Sequence, residues 1–523
     1  MLRCTWRHSL ALASFVLLAL VTFAPQPVAA QADTGSADFS RHVVIGDSLA
    51  AGIVSGGWLD QFQANTFPSL IHRQATGTTA GFEQPLVGSP GITPPLRLDS
   101  LSPLILGSAG GLGSPTNLLL PRPYNNLAVP GFDVSDTVDL VTDNGGLGDL
   151  VLRGQGTQLQ QAAFQQPTFS TVWIGNNDVL GAATSGLVIE GLTITPVDVF
   201  DQKYRTIIGT LAAVGSSIVV ATVPDVAAIP FVSTVPPILV DPATSEPVVV
   251  NGSFVPLLGP DGPLSLGDSV LLTGNGLLAQ GFGVPTAFGG NGLPLPNEVV
   301  LSAGEKQIIR DRTNVFNDII RGVAGEAGAS VVETAALFDR TANEGIDIAG
   351  INFNADFLTG GVVSYDGVHP TPFGYAYIAN EFINVINRDF GANIPEVNLR
   401  PFVFGQVSLI PGAGIAAVSS AQAKGAQFSE RALENLNLVG VPVSLTTGVV
   451  RPETPAEEKP PAGGQNDDGD AGGAQDGDAG GHGSGGAADG GDSAGDASDG
   501  DTRGGFDRPS DPRDRGNRQS RGF

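Results

Sequence analysis

His42-Val43-Val44-Ile45-Gly46-Asp47-Ser48-Leu49-Ala50 is the stretch that decides how this chain reads. A short apolar run that stops at a glycine fits a strand buried on both faces, the kind found in parallel sheets. Asp47 and Ser48 then fall just past the strand's carboxyl end, where open α/β folds gather their ligands. A serine placed there can act as a nucleophile if other segments bring a base and oxyanion donors.

Two later segments have the right form. Val172-Trp173-Ile174-Gly175-Asn176-Asn177-Asp178 is an apolar strand running directly into glycine and amides, and Asp366-Gly367-Val368-His369-Pro370 sets a carboxylate three residues before an imidazole. A serine hydroxyl needs a neighbour to take its proton, and histidine does this best near neutral pH. Of the five histidines, His8 lies in the leader, His482 in the tail, His42 on the first strand and His72 in the helix expected after it. His369 remains as the base, with Asp366 able to turn back and fix its tautomer. Taken alone, Asp-x-x-His is a weak signal that ordinary loops also carry. Asn177 can donate to an oxyanion, although Asn-Asn-Asp also makes turns. The Ser48 amide and Gly131, in Asn125-Asn126-Leu127-Ala128-Val129-Pro130-Gly131, offer backbone donors, with turn glycine the default for Gly131.

Around these segments the chain alternates strand-like and helix-like stretches, the pattern of a parallel sheet covered by helices. Strands are expected at His42–Ile45, Asn126–Val129, Ser170–Ile174, Ser217–Thr222 and Ser330–Thr334. Ser302-Ala303-Gly304-Glu305 is a capping box, and the helix it opens should bury Ile308, Val315, Ile319 and Val323. Thr195-Pro196 and Thr371-Pro372 read as two further starts, each a cap followed by proline at the first helical position. Two Pro/Gly/Leu-rich stretches, 82–123 and 229–298, break the alternation without sustained periodicity, and their apolar content favours lids or walls.

Gly46-Asp47-Ser48-Leu49, the Asn126–Gly131 segment, Gly175-Asn176-Asn177-Asp178 and Asp366-Gly367-Val368-His369-Pro370 together resemble the four ordered blocks of the SGNH (GDSL) hydrolase family, lipase/esterase type. The likeness spans roughly residues 41–388 and is specific at the blocks. It implies a flavodoxin-like three-layer α/β/α sandwich with a mostly parallel central sheet, and ester hydrolysis. It also implies Ser48 as nucleophile, His369 as base oriented by Asp366, and Ser48, Gly131 and Asn177 as oxyanion donors, with no cofactor and no metal. The hydrolase domain is taken as 38–395. A second Gly267-Asp268-Ser269 lacks a leading apolar strand and reads as coincidence. Ala50 stands where Gly-x-Ser-x-Gly would need glycine, so the usual α/β-hydrolase elbow is not supported.

Composition sets the outer limits. Arg3 and Arg7 before the apolar run Leu10–Phe23, then Val28-Ala29-Ala30, read as an export signal over 1–30, with cleavage after Ala30, or after Ala32 as runner-up. Cys4 would leave with it, so the mature chain has no disulfide. The expected location is periplasmic, extracellular or cell-surface, with peripheral membrane or cell-envelope contact left open. A formal charge of −26 argues against a nucleic-acid partner. Four lysines against 22 arginines, with abundant Asp and Glu, suggest a surface suited to high salt, an idea that loss of activity in molar salt would end. Residues 452–523 read as a disordered acidic tail, and 396–450 as an extension of unknown structure.

The expected substrate is a small-molecule or lipid ester. Leu118, Leu119, Leu120, Phe231, Leu257 and Leu258 would suit an acyl chain but equally a core. Polysaccharide O-deacetylation and a non-catalytic envelope-binding role are the alternatives.

Overall fold

Four parallel strands form the central sheet: β1 (His42–Gly46), β2 (Phe169–Trp173), β3 (Ser217–Ala221) and β4 (Ser330–Val332), hydrogen-bonded in that order. The computed structural model describes residues 32–403, apart from 102, 103, 109 and 243, together with the backbone of Gln427–Phe428. The leader at 1–30, the tail from 452 and most of the 396–450 extension lie outside the described residues. His42 pairs with Phe169 and Gly46 with Trp173, while Val332 pairs with Ala221. Every residue of β1 and β2 is buried, which is why their sequences run apolar without alternation.

Beyond β1 the segment 125–129 continues the sheet. Val44 N–H donates to Asn125 O (2.8 Å), Leu127 N–H to Val44 O (3.0 Å) and Val129 N–H to Gly46 O (3.1 Å). It pairs with β1 as a single parallel bridge, Val44 with Asn126, rather than as the full strand expected. With this segment included, the spatial order is second, first, third, fourth, fifth, the doubly wound order of flavodoxin-like sheets.

The helices that build the layers and the site are α1 (Ser48–Ala51), α2 (Phe67–Thr76), α3 (Val134–Asp139), α4 (Gln158–Phe164), α5 (Asn177–Ser185), α6 (Val197–Ala213), α7 (Ala303–Ala327), α8 (Thr334–Asn343) and α9 (Pro372–Phe390). On one face Trp173 meets Phe67 of α2 at 5.4 Å, Phe382 of α9 at 6.2 Å and Phe338 of α8 at 6.4 Å between ring centroids. On the other, α4, α6 and α7 pack against the sheet, and Phe200 of α6 stacks on Phe316 of α7 at 3.8 Å. Burying each such aromatic contributes on the order of 2–3 kcal/mol.

Helix α7 begins at the expected capping box: Ser302 Oγ accepts from Glu305 N–H, and Glu305 Oε2 from Ser302 N–H. Its buried stripe matches the expected one only at Val323 and, partly, at Ile319. Ile309, Phe316, Ile320 and Val323 face inward, whereas Ile308 and Val315 are exposed. Two apolar stripes lie one residue apart in this sequence, and the one carrying Phe316 wins because it reaches Phe200. Thr371 caps α9 through Gly374 N–H as expected. At α6, by contrast, Pro196 occupies the cap, and Thr195 N–H instead donates to Asp178 O.

Both insertions contain short pairings that the sequence did not reveal. Leu96–Leu101 and Leu104–Ser108 pair antiparallel, and Gln427–Phe428 joins them in parallel. Within 229–298, Val249–Val250 pairs with Ser253–Phe254, and Leu258–Gly259 with Gly262–Pro263, while Ser269–Val270 pairs with Val300–Leu301. The two-residue strands of the second insertion are too short for a period-2 pattern to register. After α9, Asn380 bonds both ways with the Val397 backbone, and Phe402 and Val403 are buried.

Candidate active site

Ser48 sits where β1 gives way to α1. Asp47 caps that helix, its Oδ1 accepting Leu49 N–H at 2.9 Å, and Gly52 ends it at φ +85°. Only glycine fits at position 46, since a Cβ there would come within 2.7 Å of the Ala50 Cβ and 2.9 Å of Trp173 O. The turn is thereby held tight against the neighbouring strand, and Ser48 is presented at the sheet's carboxyl edge.

The structure brings Ser48, His369 and Asp366 into one hydrogen-bonded series. Ser48 Oγ lies 2.8 Å from His369 Nε2, and His369 Nδ1 lies 2.8 Å from Asp366 Oδ2. All three side chains are buried. Asp366 accepts further from Gly56 N–H (2.6 Å), His369 N–H (2.8 Å), Val368 N–H (2.9 Å) and the Ser364 hydroxyl (3.2 Å). Burial alone would raise its pKa, but the His369 charge and these donors outweigh burial and hold the carboxyl below its ordinary value. It therefore stays ionised, with its imidazole partner fixed in one orientation. Such a series can strip a proton from a serine as it attacks a carbonyl.

The donor side is built from two adjoining loops. Gly131 adopts φ +90°, and Asn177, the first residue of α5, donates from Nδ2 to Phe132 O at 2.8 Å. An amide has two N–H donors, so this bond orients Asn177 and leaves one for a ligand. Its neighbours reach elsewhere: Asn176 Nδ2 donates to Asp47 Oδ2 (2.8 Å), and Asp178 Oδ2 accepts Val134 N–H (3.2 Å). The triplet 176–178 thus ties the nucleophile turn and the Gly131 loop to one helix start.

Positioning residues that sequence reasoning missed lie across the chain. Ser55 N–H donates to Ser364 Oγ at 2.8 Å, Tyr365 N–H to Ser55 Oγ at 3.2 Å, and the Tyr375 hydroxyl to Ile53 O at 2.8 Å. Gly56-Gly57 announces a turn in the sequence, but nothing local tells that its partner stands 310 positions away. Each insertion braces one side of this contact. Leu96 N–H from the first donates to Ser55 O at 2.8 Å, and Phe231 N–H from the second donates to Gly367 O at 2.9 Å.

Other candidates fall outside the site. Phe231 and Leu257 are buried in the core, whereas Leu119 is 96% exposed. Asp268 of the second Gly-Asp-Ser receives Ala303 N–H at the start of α7, and Lys306 Nζ donates to Ser269 Oγ at 2.8 Å. That motif therefore serves a helix start. Among the described residues no group of His, Cys, Asp or Glu could hold a metal ion, and no helix is long and apolar enough to cross a membrane.

A doubly wound α/β/α sheet with a Ser-His-Asp series at the carboxyl end of its first strand defines a hydrolase of the nucleophile-at-strand-end class. A family model described as GDSL-like Lipase/Acylhydrolase matches residues 43–382, and the chain belongs to this family of ester-hydrolysing enzymes. Among solved structures it is similar to an alpha/beta hydrolase enzyme from the metagenome of Lake Arreo, Spain, with 15% identity over 66% of this chain and 94% of that one, at a TM-score of 0.31. It is similar also to an acetylxylan esterase from Geobacillus stearothermophilus (13% identity, 70% and 100% covered, TM-score 0.32). A lipase/acylhydrolase from Enterococcus faecalis is a third (12%, 68% and 100%, TM-score 0.28). No curated protein matches the chain.

Proposed function

We propose that the protein is an exported serine esterase that cleaves carboxylic esters of the lipase or carboxylesterase type through an acyl-enzyme formed on Ser48. The observation that carries this reading is the unbroken series Ser48 Oγ, His369 imidazole and Asp366 carboxylate, with 2.8 Å at each step. His369 Nε2 takes the hydroxyl proton as Ser48 Oγ attacks the ester carbonyl. The oxyanion then meets the Ser48 and Gly131 amides and the free N–H of Asn177, each such donor being worth on the order of 10²–10³ in rate. Protonated His369 passes its proton to the leaving alcohol. Water repeats the sequence on the acyl-enzyme, releasing the acid and restoring Ser48. Asp366 keeps its charge throughout and stabilises the imidazolium.

Hydrolysis of p-nitrophenyl esters from acetyl to palmitoyl, with Ser48→Ala beside the natural chain and in low and molar salt, tests the reading. Turnover that vanishes in Ser48→Ala is expected, and the preferred chain length separates a lipase from an acetyl esterase. Turnover surviving in Ser48→Ala would overturn the assignment of the nucleophile.

A further inference from the structure

Asp47 is a second fully buried carboxylate at the site, and the mechanism above leaves it without a task. It is covalently next to Ser48. Its Oδ1 receives the Leu49 amide at the start of α1, and its Oδ2 receives Asn176 Nδ2 from the start of α5. The titratable groups around it are His369, Asp178 on α5 and Tyr375 on α9, with Asp366 on the far side of the imidazole. We propose that Asp47 is a positioning residue for the hydrolytic reaction: its anion fixes the Ser48 turn through α1 and adds a second negative charge in support of the imidazolium. The proposal rests on Ser48 and His369 acting as nucleophile and base.

Charge and capping can be separated chemically. Asparagine caps a helix about as well as aspartate but carries no charge. If capping alone mattered, Asp47→Asn would be silent, since its Oδ1 still accepts Leu49 N–H and Asn176 can turn its unpartnered Oδ1 toward the new amide. Burial raises the Asp47 carboxyl to about 6, with the Asn176 hydrogen bond, the Leu49 amide and His369 pulling the other way. The working anion is therefore lost in the pH range where esterases are assayed. Asp366 is held low and contributes no break there. Burial and Asp133 push Asp178 well up, so it needs its own control.

The test is the pH dependence of kcat/KM for one p-nitrophenyl ester on the full chain. With two groups that must both be deprotonated, log(kcat/KM) should fall on the acid side with a slope approaching 2. Asp47→Asn should reduce that slope to 1 and lower the plateau about 10-fold. Asn176→Ala keeps the carboxylate but removes a donor to it, so its acid break should move up by roughly one pH unit. Asp178→Asn should leave the slope near 2. A slope of 1 in the natural chain, an unchanged slope in Asp47→Asn, or loss of the second break in Asp178→Asn would each overturn the proposal. Should Asp47→Asn fail to fold, the Asn176→Ala break decides, and an unmoved break refutes it. Turnover in Ser48→Ala would instead sink the underlying esterase reading, so the two failures are distinguishable.

Discussion

His72→Phe should flatten the acid side of the folding stability curve. His72 on α2 forms a three-ring cluster with His42 and Phe82, whose centroids lie 5.8 Å and 4.9 Å from it and 5.1 Å from each other. This stack lies at the amino end of β1, opposite Ser48, so its effect on folding is separable from catalysis. Burial lowers the imidazole to about 4, and neither ring nitrogen has a hydrogen-bond partner among the described residues that would favour its charged form. In the unfolded chain it returns to about 6.5. Between those values the unfolded chain binds a proton that the folded chain refuses, so stability falls as pH drops through about 6.5 to 4 and this group adds no further loss below. At about 1.4 kcal/mol per unit, the window amounts to about 3 kcal/mol. His42 adds to the loss, because burial and then the His72 charge depress it too. Two imidazolium charges at that separation would repel by about 3 kcal/mol at an effective dielectric of 20, so the folded stack does not hold both. Urea unfolding at pH 7, 6, 5 and 4, followed by the fluorescence of buried Trp58 and Trp173, reads the effect. The natural chain should lose about 3 kcal/mol more than His72→Phe between pH 7 and pH 4. Parallel losses in the two proteins would refute the argument.

A pair of glycines offers a contrast. At Gly367 (φ +73°) a Cβ would meet Phe231 N at 2.9 Å, so Gly367→Ala should displace the Asp366–His369 loop and cut kcat/KM about 100-fold. Gly350 (φ +84°) faces open space, so Gly350→Ala should cost only about 1 kcal/mol of stability and leave hydrolysis unchanged. Ser55→Ala removes the acceptor for Tyr365 N–H and should lower kcat about 10-fold with little change in KM, since it loosens the Asp366 loop without touching the ester. Phe316→Ala should lower unfolding stability by about 3–5 kcal/mol by opening the stack with Phe200, as urea denaturation would show.

What the sequence determined by itself was local. The apolar runs at 43–45, 170–174 and 217–222 marked strands, because a strand buried on both faces has no polar side to interrupt it. Ser302 and Glu305 marked the start of α7, because a capping box closes within three residues. The order of the Ser, Asn and Asp-His segments picked out Ser48, His369 and Asp366 before their distances were known. Tertiary structure alone decided which of two adjacent stripes on α7 is buried, since that depends on Phe200 of another helix. It alone joined Ser55 and Gly56 to Ser364 and Asp366, made each insertion a brace for that contact, and set Asn176 on Asp47. The division has one cause. Strand patterning, caps and turns are settled among residues a few positions apart, whereas the burial of one helix stripe over another depends on Phe200 of a different helix, and the placing of a carboxylate against Gly56 or Asn176 depends on partners 310 and 129 positions away.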